Sequence, residues 1–244
     1  MSIIYKIYSF LIAWPLFIVA TMITSLTAIT AALFGDKDIM DYFICKWWGR
    51  FACFIFLLPV KIEGRELLDK KQSYVFLANH QGYFDIFLIY GYVGHNFKWM
   101  MKEYLLKMPF IGIACKSTNH IFVGDSRSSI QKAVEKSRKT LQGGMSMVIF
   151  PEGTRCYDGK LGEFKRGAFM LANEIGLPIV PITINGSFDV FSRKARSVSH
   201  GKLTMTIHKP ITAEEYQQKP TKVVMKDVFE IINSDIEEKY RSEL

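Results

Sequence analysis

The sequence predicts an α/β domain with a mostly parallel central sheet flanked by helices, preceded by a membrane-embedded helical segment at the N-terminus. Three observations support this fold class. Residues 7–34 carry no charged side chain, the composition becomes mixed and charged from about residue 61, and short apolar runs then alternate with amphipathic stretches. Alternation of strands and helices is typical of a parallel sheet. We therefore expect a membrane-associated segment over residues 1–60 and an α/β domain over residues 61–244.

The N-terminal segment contains two apolar stretches. The first, residues 7–34, is longer than the roughly 20 apolar residues that span a bilayer core and than the apolar region of a signal peptide. The second, residues 42–60, is interrupted by two cations beside Trp47 and Trp48, a composition that suits the headgroup level. Either the first stretch spans and the second lies in the interface, or both form a hairpin in one leaflet, with residues 34–41 as the polar turn. The alternative for the second stretch is a core helix of the following domain.

Six short apolar runs in the second part of the chain predict buried strands. They are residues 73–78, 97–101, 120–123, 146–150, 178–184 and 202–208. Apolar residues at helical spacing predict helices over residues 127–142, over residues 161–175, and in the C-terminal stretch from Val224 to Tyr240. In such sheets the active site gathers at the carboxyl ends of the strands.

Composition narrows the class of partner. The chain has 244 residues, a net charge of +8 and a mean hydropathy of +0.12, which is too polar for a multi-span transporter and favours an anionic partner. No nucleic-acid motif accompanies the basic residues, so we expect lipid rather than nucleic acid. The four cysteines form no metal-ligand spacing and indicate unpaired thiols in a reducing compartment, without a structural metal; they are Cys45, Cys53, Cys115 and Cys156.

The first polar cluster after a predicted strand contains His80 and Asp85. A histidine takes a proton from a hydroxyl as a general base, and a carboxylate on its other ring nitrogen fixes the tautomer. A spacing of five residues does not place the pair face to face on a helix, so we expect an irregular strand-to-helix turn at residues 79–82, eased by Gly82. The alternative is a structural pair that caps or cross-links a core helix.

Two further clusters predict a phosphate site. Gly153 permits close backbone approach, and Arg155 carries a fork of donors suited to phosphate. A carboxylate beside a phosphate would repel it, so we expect Glu152 to orient Arg155 or to bond a substrate hydroxyl. Lys102, which follows another predicted strand, would add a second positive charge. Each of these residues alone would be read as an ordinary turn or surface residue.

Four stretches of the chain together resemble the glycerolipid acyltransferase family. They are "NHQGYFD" at residues 79–85, "KEYLLKMPFIG" at 102–112, "FPEGTR" at 150–155 and "IVPITI" at 179–184. Their order and separation also fit that family, and the similarity covers roughly residues 60–190. The chain is most similar to the bacterial members that acylate lysophosphatidate.

The resemblance implies transfer of a fatty acyl group from acyl-CoA or acyl carrier protein to the sn-2 hydroxyl of lysophosphatidate, which makes phosphatidate. By this resemblance His80 is the general base and Asp85 its partner. The residues implied to bind the glycerol phosphate are Lys102, Glu152, Gly153, Thr154 and Arg155. Residues 179–182 would line the groove for the acyl chain.

The resemblance also implies no metal and no cofactor beyond the thioester donor, which is a substrate. It implies a place at the bacterial inner membrane, with the catalytic domain facing the cytoplasm because the donors are cytosolic. Two alternatives stay open: an acyltransferase of the same mechanism with another lysolipid acceptor, and a non-catalytic lipid binder on the same scaffold.

The sequence departs from the family pattern at three places. Gly82 stands where many members have serine, and Cys156 stands where serine often follows the arginine. The residues between the strand at 120–123 and Arg127 are unusual, which leaves the role of Arg127 and the headgroup preference open. Residues 192–202 carry several basic side chains and no acid, which indicates either solvated surface or contact with anionic headgroups or acyl carrier protein.

Overall fold

A seven-stranded sheet lies at the centre of the computed structural model, which describes residues 3–33, 39–107, 112, 115, 118–124 and 126–243. The strands are β1 (Val60–Glu63), β2 (Val75–Ala78), β3 (Phe97–Lys102), β4 (Ile121–Val123), β5 (Ser146–Ile149), β6 (Ile179–Asn185) and β7 (Leu203–Ile207). The helices are α1 (Ile3–Tyr8), α2 (Trp14–Leu33), α3 (Ile39–Ile55), α4 (Phe84–Tyr92), α5 (Arg127–Thr140), α6 (Arg166–Ile175), α7 (Ser187–Phe191), α8 (Ala213–Gln217) and α9 (Thr221–Asp235). A π-helical turn, Ser9–Ala13, joins α1 to α2.

The strands are ordered β1-β7-β6-β2-β5-β3-β4. Every neighbouring pair is parallel except β6 and β7, so β7 and the edge strand β1 run against the other five. This confirms the predicted α/β class with a mostly parallel sheet. Because β2, β5 and β3 are adjacent and parallel, the residues that follow them lie at one edge of the sheet.

Apolar side chains cover both faces of the sheet, because successive strand residues point to opposite sides. One face carries Phe76 and Val180 and packs against α4. The other face carries Leu77 and Ile149 and packs against α5, α6 and α9. The six predicted strands are all present with bounds shifted by a few residues, which is the usual uncertainty of such boundaries.

Two predicted helices differ in extent from those observed. The helix expected over residues 161–175 begins only at Arg166, since residues 161–165 form an irregular approach to it. The C-terminal helix ends at Asp235. Ile236 is nevertheless buried and Tyr240 packs against the same core, beyond the helix itself.

The N-terminal helices pack against the domain along one side only. Ile3–Ala31 forms the one helical stretch in the described part of the chain that is long and apolar enough to cross a membrane, and most of it is exposed. On its inner side the hydroxyl of Tyr5 donates to the carbonyl of Phe56 at 2.8 Å, and Trp14 packs edge-on against Phe56 and Phe191. The outer side therefore presents apolar side chains with no protein cover.

Helix α3 has features of both a membrane-interface helix and a core helix, the two alternatives predicted for residues 42–60. It crosses α4 very closely: a Cβ atom on Gly49 would lie 2.6 Å from the carbonyl oxygen of Phe87. Cys53 is buried in this contact, as a core helix requires, while Trp47 and Phe54 are largely exposed. Of the predicted polar turn at 34–41, residues 34–38 lie outside the described part of the chain.

Candidate active site

His80 and Asp85 form a hydrogen-bonded pair at the carboxyl end of β2. Their Nδ1 and Oδ2 atoms are 2.7 Å apart, and Oδ2 also accepts the backbone N–H of Gly82 at 2.9 Å. Asp85 is completely buried, whereas 13% of the His80 side chain is exposed. Because the acceptor at Nδ1 is a carboxylate that donates nothing, Nδ1 carries the proton and Nε2 is left as the basic nitrogen. Nε2 has no partner among the described residues, so it can accept the proton of a substrate hydroxyl.

The turn that brings this pair together is irregular, as the sequence predicts. Residues 79–83 leave β2, and Asp85 falls in the first turn of α4. The side chain of Asn79 fixes the start of the turn, since it exchanges two hydrogen bonds with the backbone of Ile184 on β6, at 2.8 and 2.7 Å. The turn is thus anchored to a neighbouring strand rather than held only by its own sequence.

Phe150, which directly follows the neighbouring strand β5, supports the histidine ring. The two rings are parallel within 6°, with centroids 3.8 Å apart. The ring of Trp99, on β3, stacks in turn on the Phe150 ring, with centroids 5.3 Å apart. The imidazole is therefore held in one plane by an aromatic layer that spans three adjacent strands.

Glu152 connects the two sequence motifs. Its Oε1 accepts the backbone N–H of His80 at 2.7 Å, and its Oε2 accepts the backbone N–H of Gly162 at 2.8 Å. Burial raises the pKa of Glu152 to about 8, against the effect of these two bonds, which favour the carboxylate. The carboxyl group supports the backbone of His80, and among the described residues neither of its oxygens accepts a hydrogen bond from Arg155. The expected orienting role towards Arg155 is therefore not observed, and the alternative, a bond to a substrate hydroxyl, stays a prediction.

Arg155 and Thr154 lie on the outer side of the same loop. The guanidinium of Arg155 stacks on the ring of Tyr83 at 3.8 Å, and that ring packs against Phe191 at 4.8 Å. Thr154 Oγ1 accepts a long hydrogen bond, 3.5 Å, from Arg193. Arg193 belongs to the acid-free stretch 192–202, so part of this stretch adds positive charge beside the loop.

Lys102 is exposed at the end of β3 and reaches Gly153. Its Cε atom lies 4.0 Å from the position that a Cβ atom on Gly153 would take, and Cγ of Lys165 lies 3.7 Å from the same position. Gly153 has φ of +71°, a conformation that favours glycine. The structure thus brings together all the residues of the predicted site. It also adds Lys165, which lies outside the sequence motifs; its position just before an amphipathic helix is the one sequence feature that points to it.

Other expectations concern the surroundings of the site. None of the four cysteines forms a disulfide within the described part of the chain. All residues of β6 are buried, so residues 179–182 belong to the core, and their expected role in lining an acyl groove stays a prediction. The side chain of Arg127 is outside the described part of the chain. Within the described residues, no group of three or more His, Cys, Asp or Glu side chains is placed to hold a metal ion.

Comparison with known proteins places this fold and this pair in one family. The family model described as Acyltransferase matches residues 59–185, and the chain therefore belongs to the acyltransferase family. This confirms the resemblance carried by the motifs at residues 79–85 and 150–155.

Individual relatives agree with the family. The chain is 34% identical over 174 residues to a chloroplastic 1-acyl-sn-glycerol-3-phosphate acyltransferase of Arabidopsis thaliana. The aligned residues cover 70% of this chain and 48% of that one. It is 30% identical over 195 residues to a 1-acyl-sn-glycerol-3-phosphate acyltransferase of Saccharomyces cerevisiae, covering 78% and 63%. The crystal structure of the 1-acyl-sn-glycerophosphate (LPA) acyltransferase PlsC from Thermotoga maritima superimposes with a TM-score of 0.69 at 28% identity, covering 79% of this chain and 77% of that one. The chain spans about half the length of the Arabidopsis relative and a larger share of the yeast one.

Proposed function

We propose that this chain transfers a fatty acyl group from an acyl thioester to the sn-2 hydroxyl of lysophosphatidate, forming phosphatidate. The observation that carries the proposal is the oriented His80–Asp85 pair, with a free Nε2, beside a cationic loop that contains Gly153 and Arg155. The family supports acyl transfer, and the names of the relatives support this acceptor.

The proposed reaction begins when His80 Nε2 takes the proton of the acceptor hydroxyl. The oxygen attacks the thioester carbonyl, and the carbon–sulfur bond breaks as the tetrahedral intermediate collapses. The leaving thiolate then takes the proton back from His80. Asp85 stabilises the imidazolium that forms between the two proton transfers, and its burial keeps water away from that charge.

A covalent acyl-enzyme on the nearby cysteine is disfavoured by its environment. Burial raises the pKa of the Cys156 thiol to about 12, and its Sγ contacts the carbonyl oxygen of Gln81 at 3.6 Å. A thiol in this state is a poor nucleophile. Direct attack by the activated acceptor is the pathway that the residues support.

The binding roles follow from the charges around the loop. Arg155, held by Tyr83, and Lys102 would bind the phosphate of the acceptor, with Gly153 and Thr154 shaping the loop. Glu152 would act as a positioning residue for His80. The donor would be acyl-CoA or acyl carrier protein, and the reaction would need no further cofactor.

The exposed apolar side of Ile3–Ala31 supports membrane association. The proposed acceptor of the enzyme is a lipid, and the thioester donors are cytosolic in bacteria. We therefore place the protein at the inner membrane of a bacterium, with the catalytic domain on the cytoplasmic side.

The experiment that tests the proposal is acyl transfer by the purified protein in lipid or detergent. Lysophosphatidate competes with other lysolipids as acceptor, and acyl-CoA and acyl carrier protein are compared as donors. We expect phosphatidate as the product and a loss of at least about 10²-fold in rate for His80→Ala. His200→Ala, which removes an exposed histidine, serves as the matched control.

Each other outcome has a definite meaning. Transfer only to another lysolipid would keep the mechanism and overturn the acceptor. A rate in the unaltered protein equal to that of His80→Ala, with every acceptor and donor, would overturn catalysis and favour a lipid-binding role.

A further inference from the structure

Gly153 presents its open side to two lysine side chains from different parts of the fold. Lys102 approaches from the end of β3, and Lys165 approaches from the residue that precedes α6. Their nearest carbons, Cε of Lys102 and Cγ of Lys165, lie 4.0 and 3.7 Å from the position of an added Cβ atom. The missing side chain therefore leaves a small space that is bordered by two ammonium-bearing chains.

Lys165 is fixed at this place by its backbone. Its N–H donates to the carbonyl of Pro151 at 2.7 Å, so its position is tied to the loop that carries Gly153. It is directly followed by Arg166, and the first turn of α6 contains no acid and no side-chain cap. Cations at a helix N-terminus are unfavourable, which gives this arrangement a cost that a bound anion would relieve.

The positive charge of the two lysines is not cancelled locally. Both side chains are exposed, and neither has an ion-pair partner among the described residues. Glu103 and Glu163, the exposed acids closest in sequence to Lys102 and Lys165, form no ion pair with them among the described residues. Glu152, the acid next to Gly153, directs both carboxyl oxygens inward to backbone N–H groups, and its raised pKa suppresses its charge near neutral pH. The space beside Gly153 therefore suits an anion by charge as well as by shape.

We propose that Lys165 is a phosphate-binding residue of this enzyme and that, together with Lys102, it holds the phosphate monoester of the acceptor across Gly153. This inference rests on the proposed function and names a residue that its sequence motifs do not include. In a glycerol phosphate acceptor the phosphate and the reacting hydroxyl are carried by adjacent carbons. A phosphate beside Gly153 therefore suits a hydroxyl at His80, whose backbone bonds to the neighbouring Glu152.

The test compares Lys165→Ala and Lys165→Arg with Lys160→Ala, an exposed lysine of the same loop. Apparent KM is measured for lysophosphatidate, for the donor, and for a 1-monoacylglycerol that has the same acyl chain and sn-2 hydroxyl but a hydroxyl in place of the phosphate. We expect Lys165→Ala to raise KM for lysophosphatidate by about 10-fold or more, the size of one lost charge-assisted hydrogen bond. KM for the donor and for monoacylglycerol should not change, and Lys165→Arg should recover part of the loss.

A binding measurement separates this inference from the proposed reaction. In a His80→Ala background, lysophosphatidate and monoacylglycerol are titrated in detergent micelles with and without Lys165→Ala. Phosphate-dependent binding that needs Lys165 would support the inference even if no acyl transfer were found. Three results would overturn the proposal. An equal loss of affinity for both acceptors would show a structural role, and a rise only in the KM of the donor would assign Lys165 to donor binding. An affinity for lysophosphatidate like that of Lys160→Ala would show that Lys165 does not contact the phosphate.

Discussion

At the turn between β2 and α4, Gly82 occupies a space that admits no side chain. A Cβ atom on Gly82 would lie 2.4 Å from the carbonyl oxygen of Ser187 and 2.6 Å from its hydroxyl. The N–H of the same glycine holds Oδ2 of Asp85. The departure from the family pattern at this position thus has a local cause, since the backbone at the start of α7 fills the room that a serine would need.

We predict that Gly82→Ala lowers both activity and stability. The backbone oxygen of Ser187 cannot rotate away, so the turn must move and take the hydrogen bond to Asp85 with it. Overpacking of this kind costs about 1–3 kcal/mol, and we expect a loss of catalytic rate of about 10-fold or more because the pair is misaligned. Urea unfolding and initial rates of acyl transfer measure the two effects.

Gly167→Ala is the matched control for this substitution. Gly167 lies in α6 and has nothing within 4 Å of an added Cβ atom. Alanine there should leave activity unchanged and raise stability by up to about 1 kcal/mol. If Gly82→Ala behaved like this control, the close approach of Ser187 would not constrain the turn.

At the scale of the element, sequence patterns reveal what is locally apolar and miss what depends on position in the sheet. The central strands were predictable because β2, β5 and β6 are buried on both faces and therefore appear as continuous apolar runs. The edge strand β1 has alternate residues exposed, and its short charged sequence "VKIE" gives no comparable signal. Helix α4 is apolar on nearly all sides, so its extent cannot be read from periodicity.

The site shows the same division. His80, Asp85, Gly153 and Arg155 are predictable, because polar residues directly follow buried strands at one edge of a parallel sheet. The inward turn of Glu152 depends on Gly162, ten residues later, and no local pattern encodes that contact. For this reason the sequence suggested a partner for Glu152 different from the one observed.

His120 connects β3 and α4 at the start of β4. Its Nδ1 accepts the backbone N–H of Trp99 at 3.3 Å, and its Nε2 lies 3.2 Å from the hydroxyl of Tyr90. Burial, together with the charges of Lys98 and Lys136, lowers the pKa of His120 to about 3. The imidazole is therefore neutral in the folded protein and becomes protonated on unfolding below its ordinary value of 6.5.

This difference predicts an acid-dependent loss of stability. A base with a lowered folded pKa contributes stability that is present above pH 6.5 and is lost as the pH falls towards 3. The contribution should fall by up to about 1.4 kcal/mol per pH unit in that range. Urea unfolding between about pH 7 and about pH 5 should show a shallower pH dependence for His120→Gln than for the unaltered protein. The exposed His200→Gln should keep the original slope, and equal slopes for all three would refute the assignment.

At the scale of the whole molecule, the N-terminal helices are attached to the domain and open on their outer side. The sequence predicts a membrane-directed segment from its unbroken apolar run. Its docking on the domain rests on long-range contacts such as that of Trp14 with Phe191. Those contacts carry no signal in the local pattern, so the position of the segment relative to the site needed the structure.

We predict that Met22→Asp with Leu26→Asp abolishes vesicle binding without unfolding the domain. Both side chains are exposed, at 67% and 68%, on one side of α2. An aspartate in the middle of a membrane-inserted helix costs about 2.5–3.5 kcal/mol, so binding should fall by about 10²-fold or more. Sedimentation with vesicles measures binding, and far-UV circular dichroism reports the fold.

Val223→Asp is the control for added charge, because Val223 is an exposed apolar residue of α9 on the domain. It should leave vesicle binding intact. Retention of the Met22→Asp, Leu26→Asp protein on vesicles would show that the outer side of α2 does not enter the lipid.

The pairing of β1 with β7 has a consequence for how the protein folds during its synthesis. Val60 pairs with Leu203, so the first strand to leave the ribosome finds its neighbour only when most of the chain has been synthesised. Until then the nascent chain carries an unpaired strand edge directly behind its most apolar helices, the combination that favours aggregation. Early insertion of the N-terminal helices into a membrane would keep the incomplete chain apart from other nascent chains until β7 is synthesised and the sheet can be completed.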